Sequence, residues 1–194
     1  DVEKKIREEL SYTREITCME HHASHAASAF LPSPFEEAAI VTVDGVGEWA
    51  TTTIGIGKGS TVKILKEIHF PHSLGLLYST MTAYLGFTVN NSEYKVMGLS
   101  AYGNPTTYER QVEKLVSMND DGSFSLDMRY FDFHYKPWMP SRKLCRLFGG
   151  RPRKADEPVT QRHKDIAAAL QQKTEEMLMA IIEHARKESG MHNL

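Results

Sequence analysis

AAIVTVDGVGEWATTTIGIGKGSTVKILKEIHF, residues 38–70, is the stretch that decides the fold. Its first segment, 38–44, is almost continuously apolar and β-branched, which predicts a strand that is buried on both faces. Segments 48–57 and 61–70 also have β-forming composition and are separated by a Lys-Gly-Ser turn. We therefore predict three consecutive antiparallel strands that form a meander.

Hydrophobic spacing and turn residues predict the elements around this meander. The predicted strands lie at 14–20 and 123–134, and the predicted helices lie at 1–11, 22–30, 73–87, 93–103 and 105–118. Most of the helices follow the sheet along the chain. The predicted fold class is therefore mixed α/β.

A final long helix is predicted from Val159 to about Ser189, and at 1.5 Å per residue it would span roughly 45 Å. A helix of this length usually packs against more protein than this chain provides, so we expect its far half to expose an apolar face. The residues near its apolar stripe are Ile166, Ala169, Leu170, Lys173, Met177, Ile181 and His184.

We interpret residues 1–194 as a single partial domain. Residues 14–105 carry the motif-bearing sheet and helices, 106–158 form an irregular insertion with a helix and a strand, and 159–190 form the long helix. The chain begins without Met and ends directly after the long helix. We therefore expect it to be a piece of a longer polypeptide.

Charge and composition argue against several classes of protein. A net charge of −2 provides no global attraction to nucleic acid or to an anionic membrane. No apolar run approaches the roughly 20 residues that span a bilayer. Cys18 and Cys145 lie far apart and outside any Cys-x-x-Cys pattern, so neither a disulfide framework nor a cysteine zinc site is expected. We expect a cytoplasmic location, with no nucleic-acid or membrane partner.

The histidines of EHHASHAASAF, residues 20–30, are candidate metal ligands. On a helix, His21 and His25 share one face, so both could reach one divalent ion at about 2.1 Å. His22 points roughly a quarter turn away. At a helix N-terminus the dipole disfavours imidazolium, which leaves the rings in the neutral form that binds metal. A pair of surface or capping histidines would explain the same spacing.

Asp44 ends the first strand of the meander and is followed by Gly45, Val46, Gly47 and Glu48. A carboxylate at a strand end, next to glycines that allow close approach to the backbone, is a common way to hold an ion or a phosphate. We therefore predict Gly45, Gly47 and Glu48 as cofactor-binding residues. The alternative is a simple hairpin turn, since Asp-Gly is a common turn dipeptide.

A polar cluster at 90–95 opens the predicted helix at 93–103. Its backbone N–H groups and the Lys95 ammonium could bind an anion. The alternative is that the cluster only caps the helix.

Four motifs follow one another in a connected series: EHHASHAASAF, VTVDGVGEWATTTIGIGKG, FPHSLGLLYSTMTAYLGF and NNSEYKVMGLSAYGNP. This series resembles the O-carbamoyltransferases of nodulation-factor and antibiotic biosynthesis, strongly over residues 15–105 and more loosely through the final helix. The resemblance implies part of a two-lobed domain of the actin, hexokinase and Hsp70 superfamily (ribonuclease H-like). In that family it is joined to a second domain that forms an acyl-adenylate.

The resemblance also implies ATP-dependent chemistry. Carbamoyl phosphate and ATP would give carbamoyl-adenylate, and the carbamoyl group would then pass to a hydroxyl of a sugar or other natural product. His21, His25 and Asp44 would bind a divalent metal, with iron expected. Two neutral imidazoles and one carboxylate would leave such an ion with net positive charge and open positions.

The resemblance at SEYKVMGL implies a substrate-pocket role for Glu93 and Lys95, which are the candidate catalytic residues. The family continues with Ala-Pro-Tyr-Gly, whereas this chain has Ser-Ala-Tyr-Gly at 100–103. The chain lacks the family's first nucleotide-binding strand, a glycine-rich segment after the long helix, a further metal-ligand Asp and the adenylate-forming domain. We therefore expect the fragment to be inactive without the remainder of the polypeptide.

Two other functions fit parts of this pattern. A tRNA threonylcarbamoyl transferase has the same pattern of two histidines four residues apart. A non-catalytic metal- or nucleotide-binding module would use the same fold only for interaction.

Overall fold

The computed structural model describes residues 2–136 and 139–194. Residues 137 and 138, which belong to the predicted insertion at 106–158, lie outside the described residues, as does residue 1. The helices of the described part are α1 (Val2–Leu10), α2 (His21–Phe30), α3 (Leu74–Tyr84), α4 (Glu93–Ser100), α5 (Glu109–Glu113), α6 (Arg142–Leu147) and α7 (Gln161–Ser189). The strands are β1 (Glu37–Val43), β2 (Ala50–Lys58), β3 (Thr61–His69), β4 (Val116–Met118) and β5 (Phe124–Leu126).

The antiparallel meander is confirmed: β1, β2 and β3 form one sheet in sequence order. Ala38, Ala39 and Ile40 are buried, so the centre of β1 is covered on both faces as predicted. Strands β4 and β5 form a separate hairpin. The mixed α/β class is therefore confirmed.

Two apolar clusters lie on opposite sides of the sheet. Ala38 and Ile40 of β1 pack with residues of α2, whereas Val41 of β1 packs against the larger cluster that includes α3 and α7. Alternate residues of a strand point to opposite faces, so the sheet is sandwiched between α2 and the larger cluster. The close fit of α2 depends on Gly57, where a Cβ would lie 2.5 Å from the Phe30 ring.

The long helix is present, but the expectation that its far half exposes an apolar face is wrong. Met177, Ile181 and Ala185 are at most 1% exposed and belong to the larger cluster. The helix packs back onto β1 and β2, so the sheet of this chain itself covers the stripe. The helix ends at Gly190, whose φ of +68° suits a residue without a Cβ.

Three other sequence expectations are corrected by the structure. Residues 14–20 form no strand, because this exposed segment has no neighbouring strand to pair with among the described residues. The helix predicted at 105–118 ends at Glu113, since residues 116–118 pair with β5 instead. The strand predicted at 123–134 ends at Leu126, where Asp127 accepts a hydrogen bond from the Arg129 N–H and opens a 3-10 turn.

Within the residues that the structure describes, no helix has both the length and the apolar composition required to cross a membrane.

Candidate metal centre

His21, His25 and Asp44 converge on one point at the start of α2 and the end of β1. The Nε2 atom of His21 lies 2.5 Å from Asp44 Oδ2, and the Nε2 atom of His25 lies 3.2 Å from the same oxygen. The two Nε2 atoms are 2.9 Å apart. One ligand atom from each residue therefore lies within 4.8 Å of the others.

The three ligand atoms suit a divalent transition metal. With bonds of about 2.1 Å, their separations correspond to angles of roughly 70° to 100° at the ion, close to the right angles of an octahedral face. Two imidazoles and one carboxylate on one face leave the opposite positions open, which is the arrangement typical of non-haem Fe(II) sites. The residues therefore fit the ion that the sequence resemblance implies.

The Asp44 carboxylate is oriented by its own loop. The Gly45 N–H donates a hydrogen bond to Asp44 Oδ1 at 2.6 Å, which leaves Oδ2 directed at the two imidazoles. Partial burial raises the pKa of Asp44, but the hydrogen bonds from His21, Gly45 and His25 outweigh burial and hold the pKa below its ordinary value. The carboxylate therefore stays anionic at neutral pH, as a metal ligand must be.

The centre is open on one side. The exposed fractions of the side chains are 41% for His21, 51% for His25 and 35% for Asp44. A buried structural site would exclude solvent from all of its ligands, whereas this centre leaves room for a substrate or for another part of the polypeptide.

Glu48 binds the N-terminus of α2. Its carboxylate accepts the His21 N–H at 3.0 Å (Oε2) and 3.2 Å (Oε1), while the N-cap residue Glu20 makes no side-chain cap. The hydrogen bonds from the backbone N–H groups of His21 and Glu48 hold the pKa of Glu48 below its usual value. Glu48 thus places a negative charge at the N-terminus of α2, where the helix dipole favours it, and it joins α2 to the loop that carries Asp44.

Gly47 allows the same loop to approach α2 closely. A Cβ at Gly47 would lie 2.9 Å from His22 Cδ2 and 3.1 Å from His21 Cβ. At Gly45 an added Cβ would meet only Leu76, at 4.0 Å. The contacts of Gly47 and Glu48 are thus with α2, and their predicted cofactor-binding role stays a prediction, as does that of Gly45.

Two residues that hold the Asp44 loop in place were missed by the sequence reasoning. The Ser73 hydroxyl donates to the Gly45 carbonyl at 2.6 Å and accepts the Leu76 N–H at 2.9 Å, so it caps α3 and joins it to the loop. A Cβ at Gly75 would lie 2.6 Å from Gly45 N and 2.7 Å from the Asp44 carbonyl. The Ser-x-Gly pattern at 73–75, at the start of a helix, was the available signal.

Glu93 is tied into the backbone at the start of α4. Its carboxylate accepts the Asn90 N–H at 2.9 Å, the Ser92 N–H at 3.1 Å and the Ser79 hydroxyl at 3.0 Å. Partial burial raises the pKa of Glu93, but these hydrogen bonds outweigh it and place the pKa below the ordinary value of 4.5. The N–H groups that it binds precede the first turn of α4, and the N-cap residue Ser92 makes no side-chain cap, so the capping alternative and any catalytic role both stay predictions.

Lys95 is exposed, and its ammonium lies 5.8 Å from the centre of the Tyr94 ring. Neither Lys95 nor Glu93 belongs to the cluster of candidate metal ligands found among the described residues. The role of Lys95 in a substrate pocket likewise stays a prediction.

Comparisons with known proteins agree on one family. Residues 3–194 match the family model described as the carbamoyltransferase N-terminus. The chain is 49% identical to an uncharacterized protein of Synechocystis over 175 residues, which cover 90% of this chain and 28% of that protein. It is 35% identical to nodulation protein NolNO of Sinorhizobium fredii, covering 92% of this chain and 25% of the relative.

A third relative, nodulation protein NolO of Bradyrhizobium diazoefficiens, is 33% identical over 91% of this chain and 30% of the relative. The chain therefore spans between a quarter and a third of the length of these relatives.

Proposed function

Because the chain belongs to the family of the carbamoyltransferase N-terminus, we propose that it is the metal-binding part of an enzyme that transfers a carbamoyl group to a hydroxyl group. The observation that carries this proposal is the convergence of His21, His25 and Asp44 on one open point. The sequence resemblance supports a biosynthetic acceptor such as a sugar or other natural product, and two matching relatives are named nodulation proteins.

In the first stage of the proposed reaction, which takes place elsewhere in the full-length protein, water releases carbamate and orthophosphate from carbamoyl phosphate, and carbamate then displaces pyrophosphate from ATP to give carbamoyl-adenylate. At the centre described above, the acceptor hydroxyl oxygen would then bond to the carbamoyl carbon, with AMP as the leaving group and loss of the hydroxyl proton. We further propose that this chain forms part of an actin-like domain, which its meander with a helix on each face supports. The remainder of the polypeptide is the partner that supplies the activated carbamoyl group.

The side chains of this chain would hold a divalent ion, iron in our proposal. When bound, the ion supplies Lewis-acid chemistry that polarises a carbonyl oxygen. His21 and His25 provide neutral donors, and Asp44 contributes one negative charge while Gly45 fixes its second oxygen. The side chains of His21, His25 and Asp44 are partly exposed, so such an ion would be open to approach from solvent.

At the start of α4, Glu93 and Lys95 have complementary parts in the proposed function. Three hydrogen bonds hold Glu93, the first residue of α4, to Ser79 of α3 and to the N–H groups of Asn90 and Ser92. The first turn of α4 presents the exposed Lys95 ammonium, which would attract the negative charge of the phosphate-bearing substrate.

The test uses the full-length protein, purified anaerobically. Pyrophosphate release from ATP is measured with and without carbamoyl phosphate, and transfer of isotope-labelled carbamoyl to a hydroxylated acceptor is measured in parallel. We expect pyrophosphate release only with carbamoyl phosphate. Because the metal serves transfer and not adenylation in this proposal, Asp44→Asn should lose transfer while it retains pyrophosphate release.

Pyrophosphate release that is independent of carbamoyl phosphate would reject the proposal. Transfer of threonylcarbamoyl to tRNA would identify the threonylcarbamoyl transferase instead. Metal binding without any turnover in the intact protein would identify a non-catalytic module.

A further inference from the structure

His22 lies between the two candidate metal ligands in sequence but faces the sheet. Its side chain is 5% exposed, in contrast to the exposed rings of His21 and His25. Its Nε2 lies 2.9 Å from the Ala50 carbonyl oxygen, and its Nδ1 lies 2.6 Å from the Thr42 hydroxyl. The ring therefore joins α2 to both β1 and β2.

The hydrogen-bond partners determine the direction of each bond. The Ala50 carbonyl can only accept, so Nε2 carries a proton, and in the tautomer that has its one proton there Nδ1 accepts from Thr42. The Thr42 hydroxyl in turn lies 2.7 Å from the Thr53 hydroxyl, its cross-strand neighbour in the β1–β2 register. Thr53 thus donates to Thr42, and Thr42 donates to His22.

This network fixes the rotation of α2 about its own axis. Successive residues of a helix are about 100° apart, so a ring that is bonded to the sheet at His22 determines where His21 and His25 point. Gly47 approaches the same ring closely, because a Cβ at Gly47 would lie 2.9 Å from His22 Cδ2. The helix consequently has little freedom to roll.

We propose that His22 is a positioning residue, which acts through the Thr53 and Thr42 hydroxyls and the Ala50 carbonyl to aim the His21 and His25 rings at Asp44. This inference rests on the proposed metal centre. It assigns no contact between His22 and the ion or the substrate.

The test compares two substitutions at Thr42 in the full-length protein. Thr42→Val keeps the shape of the side chain and removes the hydroxyl, whereas Thr42→Ser keeps the hydroxyl. Affinity for Co²⁺ is measured by anaerobic titration, together with the visible absorption spectrum of the bound Co²⁺. We expect Thr42→Val to weaken affinity by about 10-fold or more and to alter the spectrum, and Thr42→Ser to remain within about twofold of wild type.

Thr51→Val is the matched control. Thr51 is also a buried strand threonine, but its hydroxyl donates to the Ile68 and His72 carbonyls and not to His22. We expect Thr51→Val to lower the melting temperature of the metal-free protein, as Thr42→Val does. Unlike Thr42→Val, it should keep the Co²⁺ affinity and the absorption spectrum of the wild type.

The outcomes separate the positioning role from the metal centre itself. If wild type binds Co²⁺ and Thr42→Val binds it with the same affinity and spectrum, the positioning role is overturned and the proposed function stands. Equal loss of affinity in Thr51→Val and Thr42→Val would show general destabilisation and would also overturn it. If wild type does not bind Co²⁺, the metal centre fails and the positioning role fails with it.

Discussion

The Nε2 atoms of His21 and His25 lie 2.9 Å apart, one helical turn from each other and both beside Asp44 Oδ2. When each neutral ring carries its proton on Nδ1, both Nε2 lone pairs are directed at this common point. A divalent cation would satisfy both lone pairs and the carboxylate at once. The packing of α2 against the Asp44 loop therefore brings together a candidate set of metal ligands.

Removal of one imidazole should remove the metal. His25→Ala leaves one histidine and one carboxylate, so we expect metal affinity to fall by more than about 100-fold. This loss is larger than the one expected from substitution of a residue that only hydrogen-bonds to a ligand. Elemental analysis of anaerobically purified full-length protein measures the loss. His192→Ala, which changes an exposed histidine outside the cluster, is the control. Equal metal content in the two variants would exclude His25 as a ligand.

Glu48→Gln should weaken metal binding without removing a ligand. The substitution eliminates the negative charge at the α2 N-terminus and leaves only one oxygen to accept the His21 N–H. We expect metal affinity to fall by about 3- to 10-fold, measured by competition with a chelator. Glu36→Gln, at another exposed glutamate, should leave the affinity unchanged. A loss as large as that of His25→Ala would indicate that Glu48 binds the ion directly.

Gly75→Ala should displace the Asp44 loop. The new Cβ would lie within 2.7 Å of backbone atoms of Asp44 and Gly45, which cannot move without distorting the centre. We expect a destabilisation of about 1 to 3 kcal/mol, together with weaker metal binding. Local hydrogen exchange of peptides that cover residues 40–50 and 70–85 provides the measurement.

Gly98→Ala is the control for Gly75→Ala. A Cβ at Gly98 meets nothing within 4 Å, and Gly98 lies inside α4, so alanine should stabilise the helix by about 0.5 to 1 kcal/mol. Similar hydrogen exchange in the Gly75→Ala and Gly98→Ala variants would show that steric crowding at position 75 does not displace the Asp44 loop.

Glu93→Gln should destabilise the α3–α4 connection in a pH-dependent way. Gln retains one acceptor oxygen in place of two, so the free energy of local opening should fall by about 1 to 2 kcal/mol at neutral pH. The folded-state pKa of Glu93 lies below 4.5. The stability that its carboxylate contributes is therefore fully present above pH 4.5 and is lost as the pH falls through the folded-state pKa.

The difference in local opening between wild type and Glu93→Gln should therefore narrow below pH 4.5, as measured by hydrogen exchange of residues 88–100. Glu183→Gln, at an exposed position of α7, should show no such difference. A constant difference between pH 7 and pH 3.5 would contradict the assigned role of the carboxylate.

Several elements followed directly from local pattern. The meander was predictable because continuous β-branched runs and a glycine turn determine strand character locally. The long helix was predictable because its apolar stripe repeats over many turns. Short elements such as β4 were not predictable from the sequence, because Val116 and Met118 form a strand only through pairing with β5.

By itself, the sequence determined which residues could ligate a metal: two histidines four apart on a helix, and an aspartate at the end of a strand. Only the tertiary structure decided that these side chains meet, because their convergence depends on how α2 is docked. Docking is set by contacts between residues distant in sequence: Glu48 with the His21 N–H, and His22 with Thr42 and Ala50. Local spacing carries no information about such contacts, since each of these partners is brought to α2 by the sheet.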